Sequence, residues 1–307
     1  MDQMIKIFQS LQGEVLSLTA AVGWAFAVVL YKKSGERIHP IALNLGKNCI
    51  GALCFGLILF LVPENAASKT YLELYDSGAL ELLILSGILG IGIADTLFFW
   101  SLNLLGASFS AIIDCLIAPF IIILSFIFLN ESLTLWQASG AGLIVFSILF
   151  AADLKRHSHL TLRKLWGGIA LGTLAMAAMA LGVIIMKPIL NETSLIQVIF
   201  IRLLAGIFLL WINLLFLKNK GAVISALFKR EGFAYTLAAS FLGGFIVLLI
   251  WIAGYKFTQA SIAAALNQLS NVFIFLFAAF FLKEHISRRK VASISMAVVG
   301  AFLVTFG

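Results

Sequence analysis

The feature that most constrains this chain is a run of over twenty mostly apolar residues, closed by a glutamate, that occurs twice. Residues 107–133 read ASFSAIIDCLIAPFIIILSFIFLNESL, and residues 260–286 read ASIAAALNQLSNVFIFLFAAFFLKEHI. At an offset of 153 residues the two share Ala-Ser at the start, Ala111 with Ala264, Leu116 with Leu269, Phe120 with Phe273, Ile121 with Ile274, Phe128 with Phe281 and Leu129 with Leu282. Glu131 then falls on Glu284. The chain reads as a duplication, and each copy as a membrane unit.

Composition points to the same solvent. Hydrophobic residues make up 62% of the chain and charged residues 11%, against about 45–50% and about 25% in soluble domains. The net charge of +7 does not indicate nucleic acid, because the basic residues sit in short connections where they face lipid headgroups. Cys49, Cys54 and Cys115 lie inside apolar runs without metal-ligand spacing and read as small apolar filler. No cofactor motif is visible. Asp2 and Glu14 stand where a cleavable signal would be basic, so the first span reads as an uncleaved anchor. Ile5, Phe8 and Leu11 before it suggest a short interfacial helix.

Ten segments satisfy the length of a span, about 17–25 apolar residues: 14–31, 41–62, 79–101, 107–128, 135–152, 165–187, 195–217, 233–255, 260–282 and 290–306. All should be helices, since a lone segment in lipid must satisfy its own backbone. The expected fold is an all-α integral membrane protein with ten transmembrane helices in two repeats, residues 1–152 and 165–307, joined by a basic linker at 153–164. His157 and His159 in that linker read as a solvated loop in preference to a metal site. Five is odd, so the copies must enter the membrane in opposite directions as inverted repeats.

Fifteen of the 21 Lys and Arg residues fall in the connections after spans one, five, seven and nine, four on the other side, and Lys47 and Arg202 within spans. The basic side should be cytoplasmic, which places both termini and the acidic 63–78 loop outside a plasma membrane.

Two five-helix units, a basic residue early in helix two and an apolar fourth helix ending in Leu-x-Glu resemble the EamA-type members of the drug/metabolite transporter superfamily. The resemblance covers nearly the whole chain. It carries over to Arg202 and, as a Lys variant, Lys47, to Glu131 and Glu284, and to Pro119, whose counterpart in the second copy is Val272. It implies a transporter of small metabolites, amino acids or drug-like compounds, with a central cavity between the units and no ATP-binding domain. Many such relatives have cytoplasmic termini, the opposite of the charge count.

Ionisable groups inside a bilayer cost roughly 2.5–3.5 kcal/mol each on insertion scales and usually face a wet interior. Lys47, Asp95, Asp114 and Arg202 are the candidates. Asp95 and Asp114 flank the short turn near 102–106 at similar depth, with Lys47 comparable, so the three could meet at one level. The functional reading is a proton or cationic-substrate site, in which the carboxylates share a proton. The structural reading is that Lys47 neutralises one Asp while the other bonds to hydroxyls or amides. In the second copy Asn267 replaces Asp114 and Leu248 replaces Asp95, and Gln268 and Asn271 join Asn267 along the helix. With Arg202 these amides could hold a carboxylate, so that the two copies together suit a zwitterion. The alternative is amide-mediated helix packing with Arg202 snorkelling or tied to carbonyls. Pro119 should kink helix four by removing the bond to the Cys115 carbonyl. Trp24 is a candidate cavity wall, and Glu131 and Glu284 are expected to organise the turns into helices five and ten.

The function expected from these readings is a secondary transporter, exporter or exchanger, working by alternating access and coupled to protons or to exchange. Its partners would be a small-molecule substrate and the lipid bilayer, without nucleic acid; the sequence leaves the oligomeric state open, with a monomer favoured. The rivals are an intramembrane enzyme using Asp95 and Asp114, which would lack a metal cluster or activated nucleophile, and a non-transporting scaffold, which would not need the buried charges.

Overall fold

The computed structural model describes residues 12–36, 38–61, 71–129, 134–151, 161–217, 219–228, 230–258, 260–284 and 287–306, and all regular structure in them is helical. The expected interfacial helix before residue 12, most of the 153–164 linker with both histidines, and Glu131 lie outside the described residues. Helices α1 (Gln12–Gly35) and α2 (Pro40–Leu61) come first. Next are α3 (Ala79–Leu105) and α4, which runs in two pieces, Ala107–Asp114 and Ile117–Leu129. After α5 (Leu135–Ala151) come α6 (Leu162–Leu190) and α7 (Leu195–Leu215). Then follow α8 (Arg230–Phe241, Leu242–Val247 and Leu248–Phe257 end to end), α9 (Ala260–Phe281) and α10 (Arg288–Phe306). Short helices at Tyr71–Asp76 and Lys220–Ser225 lie in the connections.

Seven of these helices are long and apolar enough to cross a membrane. They are α1, α2, α3, α4, α6, α7 and α8; shorter apolar stretches at Ala138–Ser147 and Leu266–Phe281 lie within α5 and α9. The outside of the bundle is correspondingly oily: Phe60 is 85% exposed and Phe216 82%. Arg202, Asn44, Asn48 and Gln197 are buried instead. This is the reverse of a water-soluble fold and suits lipid as the surrounding solvent.

Two helices depart from the regular form expected of them. In α3 the segment Ile88–Ala94 is a π-helix, and in α8 the same happens at Leu242–Val247. A π turn takes one surplus residue per turn and loosens the carbonyl ladder. Both contain a Gly-rich run, LGIG in α3 and LGG in α8, and Gly90 matches Gly243 on the 153-residue offset. Pro119 was expected to kink α4 by removing the bond to the Cys115 carbonyl, and the span is interrupted at that place: its first piece stops at Asp114, turns through Cys115 and Leu116, and restarts at Ile117, with Leu116 N–H donating to the Ile113 carbonyl at 2.9 Å. Pro119 thus sits in a first turn, where its missing N–H is no loss. The break lies one turn before the residue that permits it.

The packing draws the ends of the chain across one another. α1 lies against α8 and α9, α6 against α3 and α4, α2 against α7, and α5 against α10. Small residues set how closely the helices approach. A Cβ on Gly51 of α2 would fall 2.4 Å from the Gly244 carbonyl of α8, and one on Gly206 of α7 would lie 3.3 Å from the Gly92 nitrogen of α3. Between α3 and α6, Ser86 donates to the Gly182 carbonyl (2.6 Å) and Ser101 to the Gly168 carbonyl (2.9 Å).

Helix ends are closed by side chains from other elements. Lys32 donates to the Asn103 carbonyl at the end of α3 (3.4 Å). Lys187 donates to the carbonyls of Tyr255 and Thr258 at the end of α8. Glu284 was expected to organise the turn into the last helix. It reaches instead the start of α4, accepting from the Ala107 N–H (2.8 Å), the Ser108 N–H (3.1 Å) and the Ser108 hydroxyl. The physical reason is that α9 packs along α4, which sets the end of one beside the start of the other. A carboxylate there meets unpaired N–H groups and the positive end of the helix dipole.

Candidate functional site

A cavity of about 100 Å³ lies between the first and second halves of the chain. The first half contributes Ala21 and Trp24 from α1, Lys47 from α2, Gly90, Ile91, Asp95 and Phe98 from α3, and Asp114 and Ile117 from α4. From the second half come Met176 and Met179 of α6, Arg202 of α7, Gly243, Val247, Leu248, Trp251 and Tyr255 of α8, and Asn267, Gln268 and Ser270 of α9. Ions, amides, aromatic rings and thioethers therefore share one wall.

The π segment of α3 organises its polar floor. Asn44 of α2 donates to the Ile91 carbonyl (2.8 Å) and to the Thr96 hydroxyl (2.9 Å), and Thr96 donates back to the Gly92 carbonyl (2.7 Å). Side chains thus take up carbonyls that a wide turn leaves poorly paired. Asp95 begins the regular helix after this turn and forms an ion pair with Lys47. Lys47 also stands 5.8 Å from the centre of the Phe99 ring. Both charges are buried, so each depends on the other for compensation.

Asp114 does not join that pair, contrary to the meeting of three charges that depth alone suggested. It ends the first piece of α4, where the break turns it toward α9. With the Asn271 amide set to satisfy its neighbours, that residue donates to Asp114 Oδ2 (3.1 Å) and to the Ala111 carbonyl (3.2 Å). Depth along a helix carries no azimuth, and the unwound turn at Cys115 and Leu116 supplies the missing rotation.

Arg202 is only 1% exposed, so it does not snorkel to the surface. It is not tied by an ion pair among the described residues: Nη1 meets the Met186 sulfur, a weak acceptor, and Nε has no partner. Its guanidinium passes under Gly90, where a Cβ would fall 2.8 Å from Nη2. Arg202 and Asp95 are near enough for their charges to interact. The basic residue of the second half therefore leans toward the first, and the expected division into an acidic pocket and a basic, amide-rich pocket gives way to interleaved charges.

Of the other candidates, Trp24, Asn267 and Gln268 are in the wall, and Asn271 stands behind it, bonded to Gln268 at 2.8 Å. The Asn267 amide stands beside Tyr255 in the wall, close to a hydrogen bond with its hydroxyl. Sequence reasoning missed Met176, Met179 and Tyr255; among so many apolar positions nothing marks them apart. Trp251 is also in the wall, and its ring meets Tyr255 edge-on at 5.1 Å. Among the described residues no three His, Cys, Asp or Glu side chains converge as metal ligands.

The cavity brings charged, amide, aromatic and thioether groups from both halves of the chain around one small volume. An uncharacterized transporter of Archaeoglobus fulgidus is 24% identical over 294 residues, covering 94% of this chain and 96% of that protein. The uncharacterized transporter YoaV of Bacillus subtilis is 30% identical over 146 residues, 46% of this chain and 47% of its own. A protein of known crystal structure shares the fold with a TM-score of 0.66 at 15% identity, covering 96% of each chain. The EamA-like transporter family matches residues 11–152 and again 166–306. This all-helical membrane chain, with its ion-bearing cavity between two matched stretches, belongs to the EamA-like transporter family.

Proposed function

We propose that this protein is a secondary transporter of small zwitterionic or amphipathic metabolites, amino acids among them, working as an exporter or exchanger by alternating access. The observation that carries the reading is the charge inventory of the cavity. Lys47 and Asp95 cancel. What remains is one carboxylate, Asp114, held only by a neutral amide, and one guanidinium, Arg202, without a carboxylate of its own. A solute with an ammonium and a carboxylate would complete both, while Trp24, Trp251, Met176 and Met179 take its apolar part.

The architecture that goes with this reading is ten spans in two inverted five-helix repeats. It is supported by the packing pattern. Exchanging α1 with α6, α2 with α7, and so on through α5 with α10, turns the contacts of α1 with α8 and α9 into those of α6 with α3 and α4. The same exchange leaves α2 on α7 and α5 on α10. Such a bundle can rock one half against the other around a fixed site. Asp114 is then the group that carries the driving proton. The Lys and Arg count favours a plasma-membrane orientation with both termini outside.

The test is counterflow in proteoliposomes of the purified protein, with a panel of amino acids and imposed pH gradients. Exchange of a zwitterion without chemical conversion, driven by a pH gradient, is expected. Formation of a new compound in place of exchange would overturn the transport reading in favour of an enzyme.

A further inference from the structure

Asn271 does not line the cavity, yet it is fully buried and bonds directly to Asp114. It spans from α9 to the broken turn of α4. There it donates both to the carboxylate and to the Ala111 carbonyl, which the Cys115 thiol also approaches at 3.5 Å. Its other end is 2.8 Å from the amide of Gln268, one helical turn earlier on α9. Gln268 lies in the cavity wall and is 1% exposed. The order along this path is carboxylate, amide, amide, cavity.

A primary amide has a donor end and an acceptor end, so a chain of two has a direction. An ionised carboxylate can only accept. It fixes the Asn271 NH2 group toward Asp114, leaves the Asn271 carbonyl to accept from the Gln268 NH2 group, and turns the Gln268 carbonyl toward the cavity. A protonated carboxyl donates. Its O–H goes to the Asn271 carbonyl, the Asn271 NH2 group then goes to the Gln268 carbonyl, and the Gln268 NH2 group faces the cavity. Both links of the relay are kept in either state; the bond from Asn271 to the Ala111 carbonyl belongs to the ionised state alone, and the far end of the relay reverses.

We propose that Asn271 and Gln268 form an amide relay that converts the protonation of Asp114 into a reversal of hydrogen-bonding polarity at the cavity wall. With the proton bound, Gln268 joins Arg202 in offering donors to a carboxylate. With the proton gone, Gln268 joins Asp114 in offering acceptors to an ammonium. Asn271 is a positioning residue in this scheme and Gln268 a specificity-determining one. The inference rests on the reading of Asp114 as the proton-carrying group. The other charged or titratable groups around Asp114 are Cys115 on its own helix, the Asp95–Lys47 pair, Arg202 on α7 and Tyr255 on α8. The membrane-spanning part of α9 has none, α6 keeps Arg163, Lys164 and Lys187 near its ends, and α10 keeps Arg288, Arg289 and Lys290 at its start.

The test is pH-difference infrared spectroscopy of the full chain in proteoliposomes, with glutamine carrying a 13C label in its side-chain carbonyl. The Asp114 carboxyl band is identified by its loss in Asp114→Asn, and the Gln268 band by its loss in Gln268→Met. The Gln268 band should shift with the same midpoint as the Asp114 band. In Asn271→Leu the Asp114 band should persist at a displaced midpoint while the Gln268 band stands still. A stationary Gln268 band in the unsubstituted protein, while Asp114 titrates, overturns the relay alone and needs no variant at position 271. So does a Gln268 band that moves unchanged in Asn271→Leu. Absence of any titrating Asp114 band overturns the role of Asp114 and the relay with it.

Discussion

The two halves of the cavity hold matching backbones and unlike chemistry. In each, a basic residue of the second helix lies against glycine on a third helix of the other half: Lys47 against Gly244 of α8, Arg202 against Gly87 and Gly90 of α3. In each, that third helix contains a π segment at the same place on the 153-residue offset. The carboxylates, however, are confined to the first half. Asp95 answers to Leu248 and Asp114 to Asn267. The matched positions agree in what shapes the cavity and differ in the charges they bring to it. A site with equal charges from both halves would offer a solute two equivalent directions; under the proposed function this one offers a single direction.

The comparison breaks most visibly at the ion pair. Asp95→Leu makes the first half like the second and strands Lys47, which should cost about 3–5 kcal/mol, the range for breaking one partner of a buried pair. Thermal unfolding in detergent measures it, and Lys47→Met added to Asp95→Leu should recover most of the loss. A cost under about 1 kcal/mol, typical of a surface pair, would mean that Lys47 stands alone as comfortably as Arg202 does. Asp114→Asn should lower gradient-driven flux about tenfold or more, equivalent to about 1.4 kcal/mol, with normal insertion. Asn267→Ala at the matching position should lower it far less. Equal losses would say that the halves share the work.

The comparison can also be sharpened by repair. Leu248→Asp gives Arg202 the partner that Lys47 has. The substitution should be better tolerated with Arg202 present than in an Arg202→Met background, by a coupling of about 1 kcal/mol in a double-mutant cycle. Simple additivity would place position 248 out of reach of the guanidinium. The smallest effect is expected at the end of the molecule. Glu284→Gln keeps the shape of the cap on α4 and removes its charge, for about 0.3–1 kcal/mol by helix-dipole energetics, read from the same unfolding curves.

Much of this was legible beforehand because it rests on patterns a linear chain displays. Apolar runs and a repeated stretch ending in Glu131 and Glu284 are periodic signals, and Lys47, Asp95, Asp114 and Arg202 stand out because charge is costly in lipid. What was hidden is rotational. Asp95 and Asp114 have similar depths, but the partner of each is decided by the π segment before one and the broken turn after the other. Gly90 and Gly243 were visible as a matched pair without any sign of the extra residue accommodated beside them. The Glu284 cap was hidden for another reason: its partners, Ala107 and Ser108, are 177 and 176 residues away, and no local pattern relates them. Met176 and Met179 carry no signal at all in a chain where apolar residues are the background.

A helix with one residue more than its turns require does not have to keep that surplus in one spot. The bulge can be handed up or down the helix by exchanging one carbonyl partner for the next, and each such step turns the residue it passes by about 100°, one residue's share of a 3.6-residue turn, while the helix on either side keeps its place. In α3 the part beyond the bulge begins with Asp95. Migration of the bulge past Asp95, toward the end of α3, would swing that carboxylate off Lys47 with no rigid-body tilt of the bundle, and its twin in α8 would leave nothing ionic behind. The first half alone would feel the step as a change in charge pairing.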